Sequence, residues 1–157
     1  MRIALLGPVR VLDDHAHRVE VGGARLRVLV ARLALKAGRV VTSDALIDDL
    51  WDSEPPADSA NALQALVSRL RKALRGVATV ESVPGGYRLA VRAEDVDALR
   101  FEELAARGNR ELEAGRVEAA ASLLGEALKL WSGEALADLP DLPFARAAAL
   151  RLDDLRV

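Results

Sequence analysis

Apolar positions along the chain change their period twice. Up to Gly22 they come in short, partly alternating runs. Ile3-Ala4-Leu5-Leu6-Gly7, Val9-Arg10-Val11-Leu12 and Arg18-Val19-Glu20-Val21 carry β-branched residues, which predicts three short strands. Asp13-Asp14-His15 supplies turn chemistry between two of them, and Gly22-Gly23 ends the third. A small antiparallel sheet is expected. From Ala24 the spacing turns helical: Leu26, Leu29, Val30 and Leu33, then Leu35 to Ala37, recur at three and four residues, and Gly38 is placed to close the helix. Arg25, Arg27, Arg32 and Lys36 fall elsewhere on its wheel.

Val40-Val41-Thr42 reads as a short extended link, and Thr42 or Ser43 can cap a second helix containing Leu46, Ile47, Leu50 and Trp51. Asp44 lies in its first turn, where the helix dipole favours negative charge. Pro55-Pro56 forbids continuation. Asp58 or Ser59 caps a third helix running to about Arg75 and stopped by Gly76. Its core face is Leu63, Val67, Leu70 and Leu74, with Leu66 on the flank. Thr79–Val83 and Tyr87–Val91, joined by Pro84-Gly85-Gly86, form a hairpin signal. After Arg92 the strands cease. Two helical patterns follow, Asp95–Ala114 and Val117–Trp131, separated by Gly115. Pro140-Asp141-Leu142-Pro143 breaks the chain before a last helix that starts near Phe144 and is still amphipathic at Leu155. That pattern leads to the expectation that a larger protein continues the chain.

Composition narrows the function classes. At 157 residues the chain fits one domain or two small ones, and 51% hydrophobic with 29% charged residues supports a packed core. There is no Cys, hence no disulfide framework, thiolate nucleophile or Cys-ligated zinc; His15 and His17 alone leave little for a metal site or a His-based triad. Neither a metal nor a cofactor is expected. The sequence lacks G-x-x-x-x-G-K, G-x-G-x-x-G, H-E-x-x-H and G-x-S-x-G, so an enzyme is not expected. Paired acids such as Asp48-Asp49 and Asp153-Asp154 lie on polar helix faces and read as solvated. No apolar run approaches a membrane span, and Ile3–Leu6, cut short by Pro8 and Arg10, makes a poor signal peptide. A cytoplasmic location without a membrane partner is expected.

Charge then singles out one segment. Residues 1–92 hold 14 Lys+Arg against 10 Asp+Glu, a net +4, whereas residues 93–157 hold 8 against 14, a net −6. Within the basic half, Arg69, Arg71, Lys72 and Arg75 fall inside seven residues with no acid among them. The order sheet, three helices and hairpin within about 90 residues is that of a winged helix, whose third helix is the candidate for the major groove. With the leucine face turned inward, Asn61, Gln64, Ala65, Ser68, Arg71, Lys72 and Arg75 point out, and Arg69 sits on the shoulder. Amides can pair with adenine, Arg with guanine or phosphate, and cations release counterions from DNA. On the helix alone a solvated basic face explains the same pattern. The Gly-rich hairpin behind it turns the reading towards DNA.

Asn61-Ala62-Leu63-Gln64 followed by Val67-Ser68-Arg69-Leu70-Arg71-Lys72-Ala73-Leu74 resembles the recognition helix of OmpR-type winged helices, and most of all that of the Streptomyces antibiotic regulatory protein (SARP) family with its AfsR-like regulators. Leu6-Gly7-Pro8-Val9, Leu46-Ile47-Asp48-Asp49-Leu50-Trp51, Pro55-Pro56 and Gly86-Tyr87-Arg88-Leu89 resemble further landmarks. In the second half, Val96-Asp97-Ala98-Leu99-Arg100-Phe101 and Leu136-Ala137-Asp138-Leu139 are similar to the bacterial transcriptional activation domain. The resemblance spans nearly the whole chain. It implies an α+β OmpR-type winged helix-turn-helix over 1–92, then the N-terminal part of an all-α, tetratricopeptide-like activation domain over 93–157. It also implies double-stranded promoter DNA as partner, two protomers on direct repeats, and recruitment of RNA polymerase holoenzyme by an activator. Asn61, Ser68, Arg69 and Arg71 then occupy DNA-facing positions. Trp51 occupies the end of the second helix, where related domains touch phosphate, unless it is plain core. Where many relatives carry an Arg able to reach the minor groove, this chain has Val83, so Arg88 is the wing's sole cation, with Glu81 near it.

The helical half resembles a tetratricopeptide-like pair, with small residues Gly108, Gly115, Ala120 and Ala127, and with Leu104, Leu112, Leu123, Leu124 and Leu128 expected between the helices. One pair cannot bury its whole apolar face. The remainder is expected to pack on the first half, on another protomer or on further helices, and Trp131 is expected in the core rather than at a contact. A rival reading makes the helical half a protein-interaction adaptor whose winged helix no longer binds DNA.

Overall fold

The structure, a computed structural model, describes residues 1–156. Three strands, β1 (Arg2–Ala4), β2 (Arg10–Leu12) and β3 (Arg18–Val19), form the expected antiparallel sheet in that order. Its register sets Ile3 opposite Val11 and Val11 opposite Val19. Alternation therefore sends this row to one face, where Ile3 and Val11 are buried, and leaves Arg2, Arg10 and Arg18 on the other.

Helix α1 (Ala24–Ala34) buries Leu26, Leu29, Val30 and Leu33 as their spacing predicts. It ends three residues earlier than expected. Lys36 and Ala37 donate to Leu33 and Ala34 in tight turns, because the Gly38 N–H is drawn to the Leu89 carbonyl of the hairpin. The link after it is more than a link. Val41–Thr42 is a strand, β4, paired with the hairpin through Val41 to Tyr87 and Thr42 to Gly86. Thr42 also caps α2 (Ser43–Trp51), its hydroxyl accepting from the Ala45 N–H at 3.1 Å. Asp58 caps α3 (Ser59–Ala73) in the same way.

Strands β5 (Val80–Val83) and β6 (Gly86–Leu89) make the wing, and the second sheet runs β4-β6-β5. Gly86 is required by close approach. A Cβ there would strike the Val41 carbonyl oxygen and lie 2.9 Å from the Thr42 Cα, both backbone atoms that cannot swing away.

A single 3₁₀ turn at Ala93–Asp95 leads into α4 (Asp97–Glu113), α5 (Val117–Leu128) and α6 (Pro143–Arg156). Helices α4 and α5 pack tightly at Gly108, where a Cβ would sit 2.6 Å from Leu124 Cδ2. Ala120 and Ala127 are buried in the same seam. The leucines divide. Leu104 is buried and Leu123 and Leu124 half-buried, but Leu112 and Leu128 are 52% and 49% exposed, contrary to expectation. A two-helix pair buries only its facing stripe, and these two lie on its flanks. Trp131 packs edge-on against Phe101, with ring centroids 5.3 Å apart, in agreement with a core role.

The hydrophobic core is continuous across the two halves. Ile3, Leu5 and Leu6 belong to one cluster with Val96, Phe101, Leu136 and Leu152. Polar contacts reinforce the seam. The Asp97 carboxylate, at the first turn of α4, accepts the N–H of Leu5 at 2.6 Å and of Leu6 at 3.1 Å. The carbonyls of Leu5 and Leu6 accept from the N–H of Leu136 and Ser132. Asp138 accepts from the Val9 N–H. Part of the helical half's apolar surface is thus covered by the first sheet. Burial pushes the Asp97 carboxyl above the usual carboxylate range, against the opposing pull of the Leu5, Leu6 and Ala98 amides.

Candidate nucleic-acid interface

Helix α3 is built to show one face and hide the other. At 15 residues it is about 22 Å long. Leu63, Leu66, Val67 and Leu70, with Leu74 just past its end, are buried against α1 and α2. That anchorage turns Asn61, Gln64, Ser68, Arg69, Arg71, Lys72 and Arg75 outward, and all seven are exposed. None is covered by the helical half.

The cations on this face are not spent on acids. Among the described residues, Arg69, Arg71, Lys72 and Arg75 form no salt bridge. Arg71 is instead oriented by the wing: its Nε donates to the Val80 carbonyl at 2.9 Å, its Nη2 donates to Ser82 Oγ at 2.7 Å, and its Cζ lies 6.0 Å from the Tyr87 ring centroid. Two donors committed to the hairpin leave the rest of the guanidinium's N–H groups for an external acceptor. Arg71 and Lys72 also occupy the last turn of α3, where positive charge suits the helix dipole.

Arg88 stands apart from this group. It lies opposite Glu81 in the hairpin register and is paired with it, Nη2 to Oε2 at 2.8 Å and Nε to Oε2 at 3.1 Å. Ser82 and Tyr87, the neighbours that engage Arg71, lie on the other face of the ribbon by alternation. The structure therefore does not bring Arg88 together with the α3 cations, and its charge is compensated.

Trp51 is in the core. At 9% exposure its ring presents little surface to a phosphate. Arg25 covers it, with Cζ 5.2 Å from the ring centroid and Nε donating to the Leu50 carbonyl at 3.2 Å. The exposed group at the end of α2 is thus an arginine from the start of α1, which sequence reasoning missed. Residues 25 and 51 are brought together only by helix packing, and no local spacing signals it.

A helix with a free cationic face, backed by a hairpin and fused to a helical unit, defines the class of fold: a winged helix joined to an all-helical domain. Comparison with known proteins agrees along the chain. Residues 17–89 match the family described as transcriptional regulatory protein, C terminal, and residues 96–157 match the bacterial transcriptional activator domain. The regulatory protein AfsR of Streptomyces coelicolor is 40% identical over all of this chain, which covers 16% of AfsR. The transcriptional regulator RedD of the same organism is 38% identical, again over all of this chain and 46% of its own length. A solved structure, Mycobacterium tuberculosis EmbR in complex with low affinity phosphopeptide, superposes with a TM-score of 0.90 at 33% identity, covering 99% of this chain and 42% of EmbR. The chain belongs to the SARP/AfsR-like family of transcriptional regulators. It spans less than half the length of each of these three relatives.

Proposed function

We propose that this chain binds double-stranded promoter DNA sequence-specifically through the outward face of α3. On this reading residues 1–92 are the DNA-binding unit, and residues 93–157, the N-terminal part of an activation domain, recruit RNA polymerase in the cytoplasm. The observation that carries it is the set of four exposed cations, Arg69, Arg71 and Lys72 on α3 and Arg75 just past its end, without an ion-pair partner among the described residues. Asn61 and Gln64 are assigned to adenine edges, Ser68 to a base or phosphate, and Arg69 and Arg71 to guanine or phosphate. Lys72 and Arg75 neutralise phosphates and so position the helix. Arg25 makes a further phosphate contact, with Trp51 as its support. Arg88 reaches DNA only when its pair with Glu81 opens, which lowers the affinity of one protomer. Two protomers on a direct repeat restore it through effective concentration.

The paired wing cation favours the rival reading, a helical interaction adaptor whose winged helix no longer binds DNA. The two separate in one experiment. Duplexes bound by the 157-residue chain are selected from a random pool, and their affinity is followed by fluorescence anisotropy as salt rises. The DNA reading expects a recovered repeat and a log-log slope of roughly −0.9 for each phosphate neutralised. Absence of binding at low salt leaves the adaptor.

A further inference from the structure

A recess lies where the two halves meet, away from α3. It is a cleft of about 340 Å³. One wall is the C-terminal end of α1 and the turns beyond it; the others are α4 and α6. Leu35, Leu99 and Phe144 supply an apolar lining with one aromatic ring. Four cations and a single acid complete it, but two of those cations are already engaged. Arg32 is paired with Asp49, and Arg151 with Glu102 at 3.0 Å. Lys36 and Arg39 are exposed and form no salt bridge among the described residues.

Cations at the end of a helix are favoured by its dipole whatever lies beside them. That explains Lys36 on its own. It does not explain a recess in the size range of small-ligand sites, apolar on one side and bearing uncompensated positive charge on the other. Nothing in DNA recognition by α3 uses it. A purely apolar occupant would leave the two cations unsatisfied, and a small inorganic anion would leave the Phe144 side empty.

We propose that this cleft binds an amphipathic small molecule, an aromatic or aliphatic body seated on Phe144 and Leu99 with a carboxylate or phosphate facing Lys36 and Arg39. Because its walls come from both halves, an occupant also fastens the helical unit to the winged helix. Binding to the folded state alone then raises the melting temperature by mass action.

Three probes sharing one ring test it on the whole 157-residue chain: naphthyl phosphate, naphthoate and neutral naphthol, titrated by calorimetry and by thermal shift. At least one anion is expected to bind one-to-one, about ten-fold more tightly than naphthol, and to raise the melting temperature. The preferred anion identifies the charged group of the ligand. Lys36→Glu with Arg39→Glu should weaken that anion about ten-fold or more, and Phe144→Ala should weaken all three probes. Both cations are exposed, so charge reversal spares the core; Lys36→Gln with Arg39→Gln serves as a milder pair should circular dichroism show damage. Leu128→Glu, on the exposed flank of α5, should leave binding intact. Equal binding of naphthol, no binding of either anion at millimolar concentration, indifference to both cation pairs, or loss of binding in Leu128→Glu would each overturn the proposal.

Discussion

The two halves use the same residue types to opposite ends. On α3 and in the turn just past it, four cations stand in the open with no acid on them. In the helical half, Arg100, Arg116, Arg146 and Arg151 are each tied to a carboxylate, of Glu126, Glu111, Asp141 and Glu102. Net charge alone, +4 against −6, hints at this division without locating it. Pairing locates it. A cation already held by a carboxylate must break that contact before it can neutralise a phosphate, whereas an open one releases counterions at once. Missing partners alone do not mark the functional face, since Arg107, Arg110 and Lys129 of the helical half are also exposed and form no salt bridge among the described residues; what marks it is open cations gathered on one anchored helix face with no acid among them.

The largest effect should follow from removing the open cations. Arg69→Ala with Arg71→Ala is expected to weaken duplex binding by about 10²-fold or more, since each base or phosphate contact carries roughly 1–3 kcal/mol. Arg71 also braces the wing, so Arg69→Ala alone serves as the cleaner variant, lowering the salt slope by about one. The matched pair in the other half, Arg100→Ala with Arg151→Ala, should change affinity by no more than about twofold, because its field is that of a net-negative surface. Anisotropy titrations at several salt concentrations measure all three. Equal losses in the two halves would erase the contrast.

A second test breaks the seam between the halves. Asp97→Ala leaves the N–H groups of Leu5 and Leu6 buried without an acceptor, at a cost of about 2–4 kcal/mol in urea-unfolding stability. The titration of Asp97 gives a signed companion. Its folded-state value lies above the ordinary 3.8, so the folded state holds the proton more tightly than the unfolded chain does. Its contribution is thus most favourable below 3.8 and declines as pH rises through the raised value. Relative to Asp97→Asn, the native chain should lose stability over that interval and level off above it. A flat difference would place the carboxylate in water.

Local patterns made most of the fold legible. Caps at Thr42 and Asp58, the four-three-four leucine spacing of α3 and the Pro-Gly turn of the hairpin are each signalled within a few residues. The outward face of α3 followed by subtraction, because an anchored leucine row fixes what remains. What stayed hidden depends on contacts between distant residues. Val41–Thr42 looks like a link until Tyr87 pairs with it, and Arg25 looks like a solvated cation until Trp51 arrives beneath it. The Glu81–Arg88 pair required the hairpin register. Leu112 and Leu128 were misplaced because periodicity identifies an apolar face but not how wide a neighbour will cover it.

The wing offers a smaller, sharper test, since its cation, Arg88, is paired as Arg100 of the second half is. Glu81→Gln frees Arg88 while keeping its shape. Affinity for duplex should rise about three- to ten-fold, with the salt slope steeper by about one if the guanidinium then reaches phosphate. An unchanged slope would mean that the outer face of the ribbon never meets DNA, whatever charge it carries.

The smallest effect concerns the pairs of the helical half. Arg100 and Glu126 meet at 2.9 Å but are 37% and 51% exposed, so water screens them. A double-mutant cycle with Arg100→Ala and Glu126→Gln should give a coupling of about 0.2–1 kcal/mol, and less in high salt. Glu126→Gln alone frees a cation there, as Glu81→Gln does in the wing, yet duplex affinity should stay put. The two variants make the same change of charge and differ only in where it is made. If both raised affinity alike, net charge would govern binding and the geometry of α3 would be incidental. If only the wing responds, these acids in the helical half serve neither stability nor DNA contact to any large degree.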